Sequence, residues 1–366
     1  MSSRPQRVDD IDQQILGALA SGSWVSGAAL SESLGLSRAA LAKRMARLNN
    51  AGLGLAIDRR HGKGYCLHGG IDLMQTADGH VHPALGHLPG LCVLRSCAST
   101  NDHLLANPGI RVVLAEHQTA GRGRRGRRWH APYGHNLLLS LRHRYAHWPT
   151  HLPALSLVLG LAVVDVLRRQ GVAATIKWPN DIWLEGRKIA GILIDSRGEI
   201  GAGCELIIGL GLNVHMRPTD DVDTGVPASP AQASTSPSAD ADPAICGEID
   251  QPWTSLAAAQ PHSGWCRAQL AADVIAAMDA ALAAFGAGVP DDLVSTFAAH
   301  DALAGCAVQL QDGRQVITGH TRGITPEGAL RLAAVDGSIV HYVAGDLSLR
   351  LNSARHPPQS TQSPPA

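Results

Sequence analysis

The chain has 366 residues, 45% of them apolar, and its 31 basic and 31 acidic side chains cancel. That length predicts two or three domains with real cores, and a net charge of zero says nothing about partners, so only local charge is informative. Seven scattered cysteines, none in a Cys-x-x-Cys pair, argue against structural zinc and against a disulfide framework.

The N-terminus lacks a charged stretch followed by an apolar core, so no signal peptide is expected. No apolar run approaches the roughly 20 residues of a membrane span. A soluble, reduced, cytoplasmic protein with no membrane partner is expected.

Residues 1–70 carry nine Lys/Arg against five Asp/Glu. Ile11, Ile15, Leu16 and Leu19 recur at helical spacing, and Ser26-Gly27-Ala28-Ala29-Leu30 starts a second helix. Gly35-Leu36-Ser37 is a tight turn, and Ser37 is suited to cap a third helix over 38–48. Leu41, Met45 and Leu48 face inward there, leaving Arg38, Lys43, Arg44 and Arg47 elsewhere. A hairpin follows within 55–67, with Gly62-Lys63-Gly64 near its turn. This is the pattern of a winged helix-turn-helix. Two readings stand: a three-helix bundle with a solvated basic face, or a DNA reader. The short turn, the cap and the four cations favour DNA, and Ser37, Arg38, Lys43, Arg44 and Arg47 are its candidate contacts. Phosphate contacts would dominate affinity.

From about 91 to 215 strands and helices alternate. Val112 to Ala115 and Asn136 to Leu141 read as strands. Between them lies Gly121-Arg122-Gly123-Arg124-Arg125-Gly126-Arg127-Arg128-Trp129, with five arginines and three glycines in the first eight positions. Glycine lets the backbone approach a ligand closely, and arginine supplies planar, permanently charged donors for carboxylate and phosphate oxygens. Held between strands, this run reads as a mobile loop that closes over an anion; the plainer reading is a solvated or nucleic-acid-binding patch. A Gly-Lys-Ser/Thr ending is absent, so it is no Walker loop.

Pro153 to Leu167 is an apolar helix. Thr175 to Trp178 is a strand leading into the turn Pro179-Asn180-Asp181. Ile182 to Leu184 and Lys188 to Ile194 form the arms of a hairpin. Leu206 to Val214 is a buried strand whose glycines permit close approach of a ligand or of neighbouring backbone. Residues 216–249, rich in Pro, Ser, Asp, Thr and Ala, read as a disordered insertion. Order returns near Trp253, and Leu270 to Phe285 is an alanine-rich helix. Short strands from about 303, with turns at Asp312-Gly313 and Asp336-Gly337, suggest a small β-barrel. The tail after 352 reads as disordered.

Six segments together resemble biotin protein ligases, and more narrowly the bifunctional bacterial form that is also the biotin operon repressor. They are Ser99-Thr100-Asn101, Glu116 to Trp129, Lys177-Trp178-Pro179-Asn180-Asp181, Arg187 to Leu193, Gly209 to Val214 and Gly345 to Arg350, in matching order over nearly the whole chain. The arginine-glycine loop followed by Lys-Trp-Pro-Asn-Asp is the specific part. The resemblance implies an α+β chain: a winged helix-turn-helix over 1–70, a central α/β ligase domain with a mixed sheet over 71–300, and an SH3-like β-barrel over 301–352, ahead of the tail at 353–366.

The resemblance also implies a reaction. The biotin carboxylate attacks the α-phosphorus of ATP, releasing pyrophosphate; a carrier-domain lysine then attacks the biotinyl-5′-AMP anhydride, releasing AMP. ATP and biotin are substrates, with magnesium. The implied partners are a biotin carboxyl carrier protein of acetyl-CoA carboxylase, operator DNA, and a second copy of the chain when the adenylate is bound. Fixed cations aimed at growing phosphoryl charge are the device such chemistry needs.

By motif position Ser99, Thr100, Asn101 and Gln118 bind biotin, although Ser99 also suits a helix N-cap. Arg122, Gly123 and Arg124 close over the carboxylate and phosphate, while Arg125, Arg127 and Arg128 are either solvated or part of the site. Lys177 and Arg124 are the catalytic candidates, Lys177 at a strand end where the alternative is an ordinary salt bridge. Trp129, Lys188, Asn213 and Trp253 are assigned to ATP. No metal ligand is assigned: Asp181 either binds magnesium or sets the turn. Arg350 either reaches the phosphates or ends the barrel. The chain departs from the family in Ala98, where an acidic residue is common, and in the length of 216–249. Two other readings remain: a ligand-sensing regulator without ligase activity, and a lipoate-type acyl-adenylating ligase.

Overall fold

The computed structural model describes residues 8–76, 78–198, 203–217, 251–312, 315–334, 336–343 and 347–351, with backbone alone at 312, 315 and 347–351. All but two residues of the 216–249 segment, and the tail from 352, lie outside the described residues.

Three helices, α1 (Asp10–Leu19), α2 (Gly27–Ser33) and α3 (Arg38–Asn49), precede a two-stranded wing, β1 (Ile57–Arg60) and β2 (Gly64–Leu67). Asp9 and Asp12 form a reciprocal capping box at α1, satisfying amides that no intrahelical carbonyl can reach. Ile15, Leu16, Leu19, Leu41, Met45 and Leu48 make the core of this module, as the spacing predicts. One further side chain fills that core from far along the chain: Tyr133, fully buried, donates from its hydroxyl to Gln13 Oε1 at 2.6 Å.

The second unit is a seven-stranded mixed sheet in the order β3-β4-β5-β9-β8-β7-β6. Its strands are β3 (Leu91–Leu94), β4 (Val112–Ala115), β5 (Asn136–Tyr145), β6 (Thr175–Lys177), β7 (Asp181–Leu184), β8 (Arg187–Gly198) and β9 (Cys204–Asn213). Only the β3–β4 pair is parallel. β7 and β8 form the expected hairpin, turning at Glu185-Gly186, both at positive φ, as a two-residue hairpin turn requires. Strand alternation splits β9 between two faces. Leu206, Ile208, Leu210 and Leu212 join the core with α5 (Leu155–Arg169) and α7 (Arg267–Phe285), whereas Ile207 packs with Leu104 of α4 (Thr100–Ala106) on the other face. The short α6 (Leu256–Ala259) and α8 (Leu293–His300) complete the helices.

By length and composition α7 could cross a membrane, which the sequence reading did not anticipate. It is instead a core helix packed on α5, and its first residue is a fully buried arginine. Arg267 Nη2 donates to Glu116 Oε2 at 2.5 Å, with both side chains at 0% exposure. Arg267 Nη1 donates to the Asn136 carbonyl at 2.8 Å, and Glu116 Oε1 accepts from the Met74 amide at 2.7 Å. The pair thus fastens α7, β4, β5 and the segment leading in from the winged module.

The third unit is a five-stranded antiparallel sheet in the order β13-β12-β11-β10-β14. It comprises β10 (Ala307–Asp312), β11 (Gln315–Ile324), β12 (Leu330–Ala333), β13 (Ile339–Tyr342) and β14 (Leu347–Leu351). Among the described residues no pairing joins β13 to β14, so the expected closed barrel is observed as a sheet with two edges. The buried Trp178 indole docks this sheet on the central unit by donating to the Gly328 carbonyl at 3.1 Å.

Two consequences are measurable. Arg267→Met leaves the Glu116 charge buried without its partner and lowers unfolding free energy by roughly 3–5 kcal/mol; adding Glu116→Gln recovers part of that loss in urea titrations. Secondly, burial holds His117 and His135 neutral, each pushed down to about 4. Between pH 6.5 and 4 the unfolded chain therefore binds more protons than the fold, and stability falls as pH falls. From pH 6.5 to 5.5, His117→Asn flattens the dependence of unfolding free energy on pH; an unchanged slope contradicts the assignment.

Candidate functional site

One cleft lies on the α4 face of the central sheet, enclosing about 1020 Å³ when counted out to its open mouth. Its floor is β9. A Cβ on Gly209 would sit 2.4 Å from Asn101 Oδ1, and one on Gly211 would sit 2.4 Å from the Trp129 ring. The glycines read from the sequence as permitting close approach make room for these two side chains.

At one end, Ser99 caps α4, its hydroxyl 3.5 Å from the Asp102 amide. The Thr100 amide and hydroxyl both donate to Gln118 Oε1, at 2.7 and 3.1 Å, so the amide nitrogen of Gln118 is the end left to face a ligand. The Ser140 hydroxyl, with one proton to give, lies 2.7 Å from Thr100 Oγ1 and 2.6 Å from Asn101 Oδ1. Asn101 Nδ2 donates to Asp195 Oδ2 at 3.0 Å. Polar groups this deeply buried must be paired, and their mutual bonds fix the orientation of each amide.

Across the mouth the arginine-glycine run forms a hairpin. The Gly123 amide donates to Arg127 O at 2.7 Å and the Trp129 amide to Gly121 O at 2.8 Å. Arg125 and Gly126 take positive φ at the tip. Arg122 Nη2 bonds Asp102 and Asp195, each at 2.8 Å, and Arg124 Nη1 donates to Asn180 Oδ1 at 3.1 Å. Arg125, Arg127 and Arg128 also line the cleft while remaining exposed.

At the other end, Lys177 closes β6 and is only 9% exposed. Its neighbour Ile176 points to α5, beneath Gly160, so alternation sends Lys177 to the cleft face. Its ammonium sits 4.8 Å from the centroid of the Trp183 ring, a cation–π contact. The turn that follows contains the one cis peptide among the described residues, Trp178–Pro179. Lys188 pairs with Asp181 at 2.6 Å and lies 5.5 Å from the Trp129 ring centroid.

Two assigned residues stand back from the cleft. Asn213 donates to the Thr254 carbonyl at 3.1 Å. Trp253 flanks Lys188 through backbone bonds, Lys188 N to Pro252 O and Thr254 N to Lys188 O, both at 3.0 Å, while Gln251 reaches the cleft wall. The side chain of Arg350 lies outside the described residues. Asp102, Ser140, Trp183 and Asp195 were missed by sequence reasoning; Asp195 lies 94 residues from Asn101 with no local signal to link them.

In the winged module Ser37 caps α3, accepting from the Ala40 amide at 3.1 Å. Arg38 and Lys43 are exposed. Arg44 instead bonds Asp9 and Asp12, at 2.7 and 2.8 Å, and Arg47 also pairs with the buried Asp12. Two of the four cations read as DNA-facing therefore bind α3 to α1.

Comparison with known proteins follows the same three units. Residues 8–49 match an AsnC-type helix-turn-helix domain, 93–213 the Biotin/lipoate A/B protein ligase family and 305–350 the Biotin protein ligase C terminal domain. The chain is 34% identical over 344 residues to the Bifunctional ligase/repressor BirA of Escherichia coli (strain K12), covering 92% of this chain and 96% of that one. It is 37% identical over 142 residues to a Biotin--[acetyl-CoA-carboxylase] ligase of Mycobacterium tuberculosis, covering 36% and 51%. The solved structure of the biotin protein ligase from Aquifex aeolicus in complex with biotin and ATP shares the fold, with a TM-score of 0.57 at 24% identity, covering 72% of this chain and 100% of that one. Similarity to the Escherichia coli protein over nearly the full length of both shows that the chain belongs to the bifunctional biotin protein ligase/repressor family.

Proposed function

We propose that this chain activates biotin as biotinyl-5′-AMP and transfers the biotinyl group to a lysine of a biotin carboxyl carrier protein. The observation that carries this reading is the convergence of Lys177, Lys188 and Arg124 on one cleft floored by glycine. Two anions, a carboxylate and a polyphosphate, must be brought together there. The Ser99–Asn101 turn and Gln118 take the ureido head. Arg122, Gly123 and Arg124 cover the carboxylate and the α-phosphate, while Lys177 lies between them and stabilises the charge that grows on phosphorus. The carboxylate oxygen forms the bond to phosphorus and pyrophosphate leaves; the carrier amine then attacks the acyl carbon and AMP leaves. Trp129 and Lys188 stand on the nucleotide side, backed by Asn213 and Trp253.

Among the described residues Asp181 is the one carboxylate lining the cleft, and Lys188 already pairs with it. A single carboxylate already paired with a lysine does not hold magnesium by itself.

The remaining assignments belong to the same reading: a cytoplasmic protein with domains at 1–70, 71–300 and 301–352, the last an SH3-like barrel; a homodimer on the adenylate; and repression of biotin synthesis genes through operator DNA. Arg38 and Lys43 are the exposed α3 cations available to phosphates.

Mass spectrometry of a carrier domain incubated with the protein, ATP, magnesium and biotin reads a biotinyl adduct. Lipoate as competitor leaves the adduct intact if the head pocket is specific for biotin. Lys177→Ala and Arg124→Ala abolish or slow adenylate formation without unfolding the chain, and normal synthesis in both would remove the mechanism. On a short non-specific DNA duplex, Arg38→Ala and Lys43→Ala each reduce the slope of log affinity against log salt by about one. Arg44→Ala lowers the melting temperature of the module instead.

A further inference from the structure

Trp183 sits on β7, two residues beyond Asp181, and outside the lining of the cleft. The β6–β7 register sets Lys177 opposite Asp181 and Ile176 opposite Ile182. Ile176 and Ile182 both join the core, so alternation turns Lys177, Asp181 and Trp183 to the other face. Lys177 and Trp183 are then diagonal neighbours across the ladder, a spacing that long and aromatic side chains span. The ammonium of the nearly buried Lys177 accordingly lies 4.8 Å from the centroid of the Trp183 ring. The Thr175 hydroxyl donates to the Trp183 carbonyl at 3.3 Å and ties the same two strands together. Lys188, the second lysine of the cleft, is held by different means: Asp181 pairs with its ammonium at 2.6 Å. A carboxylate cancels the charge that it orients. An aromatic ring carries no net charge; it orients an ammonium through the quadrupole of its face and leaves the charge of the contact at plus one.

We propose that Trp183 is a positioning residue for the ligase reaction: its ring fixes the Lys177 ammonium on the cleft face of the sheet without cancelling its charge. The ring contact restricts the flexible four-carbon stem of the lysine. A cation held in place stabilises growing phosphoryl charge with less reorganisation than one that must first be ordered. The residues assigned to the ureido head, Ser99 to Asn101 and Gln118, lie at the other end of the cleft. Loss of the ring therefore acts on kcat for adenylate formation more than on KM for biotin. Tryptophan is the strongest aromatic partner for a cation and desolvated contacts are the stronger kind, so the expected effect is about tenfold without a ring and about threefold with a phenyl ring.

The inference deepens the ligase reading and rests on it for its kinetic arm only. Acetylation of the full chain by acetic anhydride, read by mass spectrometry, tests the contact without reference to activity. The chain has four lysines, Lys43, Lys63, Lys177 and Lys188, so each is followed separately and Lys43 and Lys63 serve as references. Trp183→Leu speeds acetylation of Lys177 by about tenfold and Trp183→Phe by about threefold, with both references unchanged. Acetylation of Lys177 at the parent rate in Trp183→Leu, or equally fast in both variants, overturns the contact; Trp183→Met serves if Trp183→Leu does not fold. In the kinetic arm, Trp183→Leu lowers kcat for adenylate formation by about tenfold with KM for biotin close to the parent, and Trp183→Phe recovers part of the loss. A rise in KM at unchanged kcat, or a loss of equal size in Trp183→Phe, overturns the positioning role. A parent chain that makes no adenylate removes the ligase reading and leaves the acetylation result to decide whether the ring holds the lysine.

Discussion

The buried pair of Glu116 and Arg267 is the constraint on which the rest depends. Both side chains are wholly excluded from solvent, and such a pair holds only when its remaining donors and acceptors are met. Most are met by backbone from three places: Met74 ahead of the sheet, Asn136 at the start of β5, and Asp72, whose carboxylate also accepts from the Arg267 amide at 2.5 Å; Arg267 Nε has no hydrogen-bond partner among the described residues and lies 4.0 Å from Asp72 Oδ2. Glu116 directly follows β4, so its fixed position sets where the chain leaves the sheet. Two residues later Gln118 meets Thr100, and three more bring the arginine hairpin over the cleft. The polar cluster at the head end is aimed by an ion pair that touches no ligand.

β9 supplies the complementary constraint. Its even-numbered residues are large and face α5 and α7; on the opposite face Gly209 and Gly211 are bare. Side chains there would occupy the space of Asn101 and Trp129. A strand interior that gives up packing at two positions is weakened by it, and the long ladders to β5 and β8 on either side supply the compensating bonds. Trp129 then lies flat enough on the strand for Lys188 to stack above it, so one missing methyl group on β9 sets the height of a cation on β8.

Periodicity and capping made much of this visible beforehand. The three N-terminal helices, the β7–β8 hairpin and the pairing of a basic run with flanking strands all follow from local rules that the tertiary fold leaves intact. Charge was read less well, because a helical wheel shows where a cation points and not what meets it. Arg44 and Arg47 read as DNA-facing, yet carboxylates at the start of α1, 32 to 35 residues earlier, bond them. Likewise α7 is apolar nearly throughout, and the pairing of the arginine at its start with Glu116, 151 residues earlier, has no local signal. By motif position Asn213 and Trp253 belong to the nucleotide; in the structure Asn213 donates to the Thr254 carbonyl and the backbone around Trp253 pairs with Lys188. Asp195 is invisible for the opposite reason: its bonds to Asn101 and Arg122 arise only when β8 brings it beside α4.

Tyr133 links the two halves of the molecule through covalent proximity. Four residues separate it from Trp129, whose ring rests on Gly211, and three from Asn136, whose carbonyl accepts from Arg267. Between these fixed points the phenol enters the core of the winged module and its hydroxyl bonds Gln13, while its amide donates to Leu53 O at 2.8 Å. The helix that presents Arg38 and Lys43 packs on that same core. A segment this short has little slack at about 3.3 Å per residue, and the phenol is too well packed to slide without opening a cavity. Within eight residues the chain is thus fixed at the cleft floor, in the core of the winged module and at the buried ion pair.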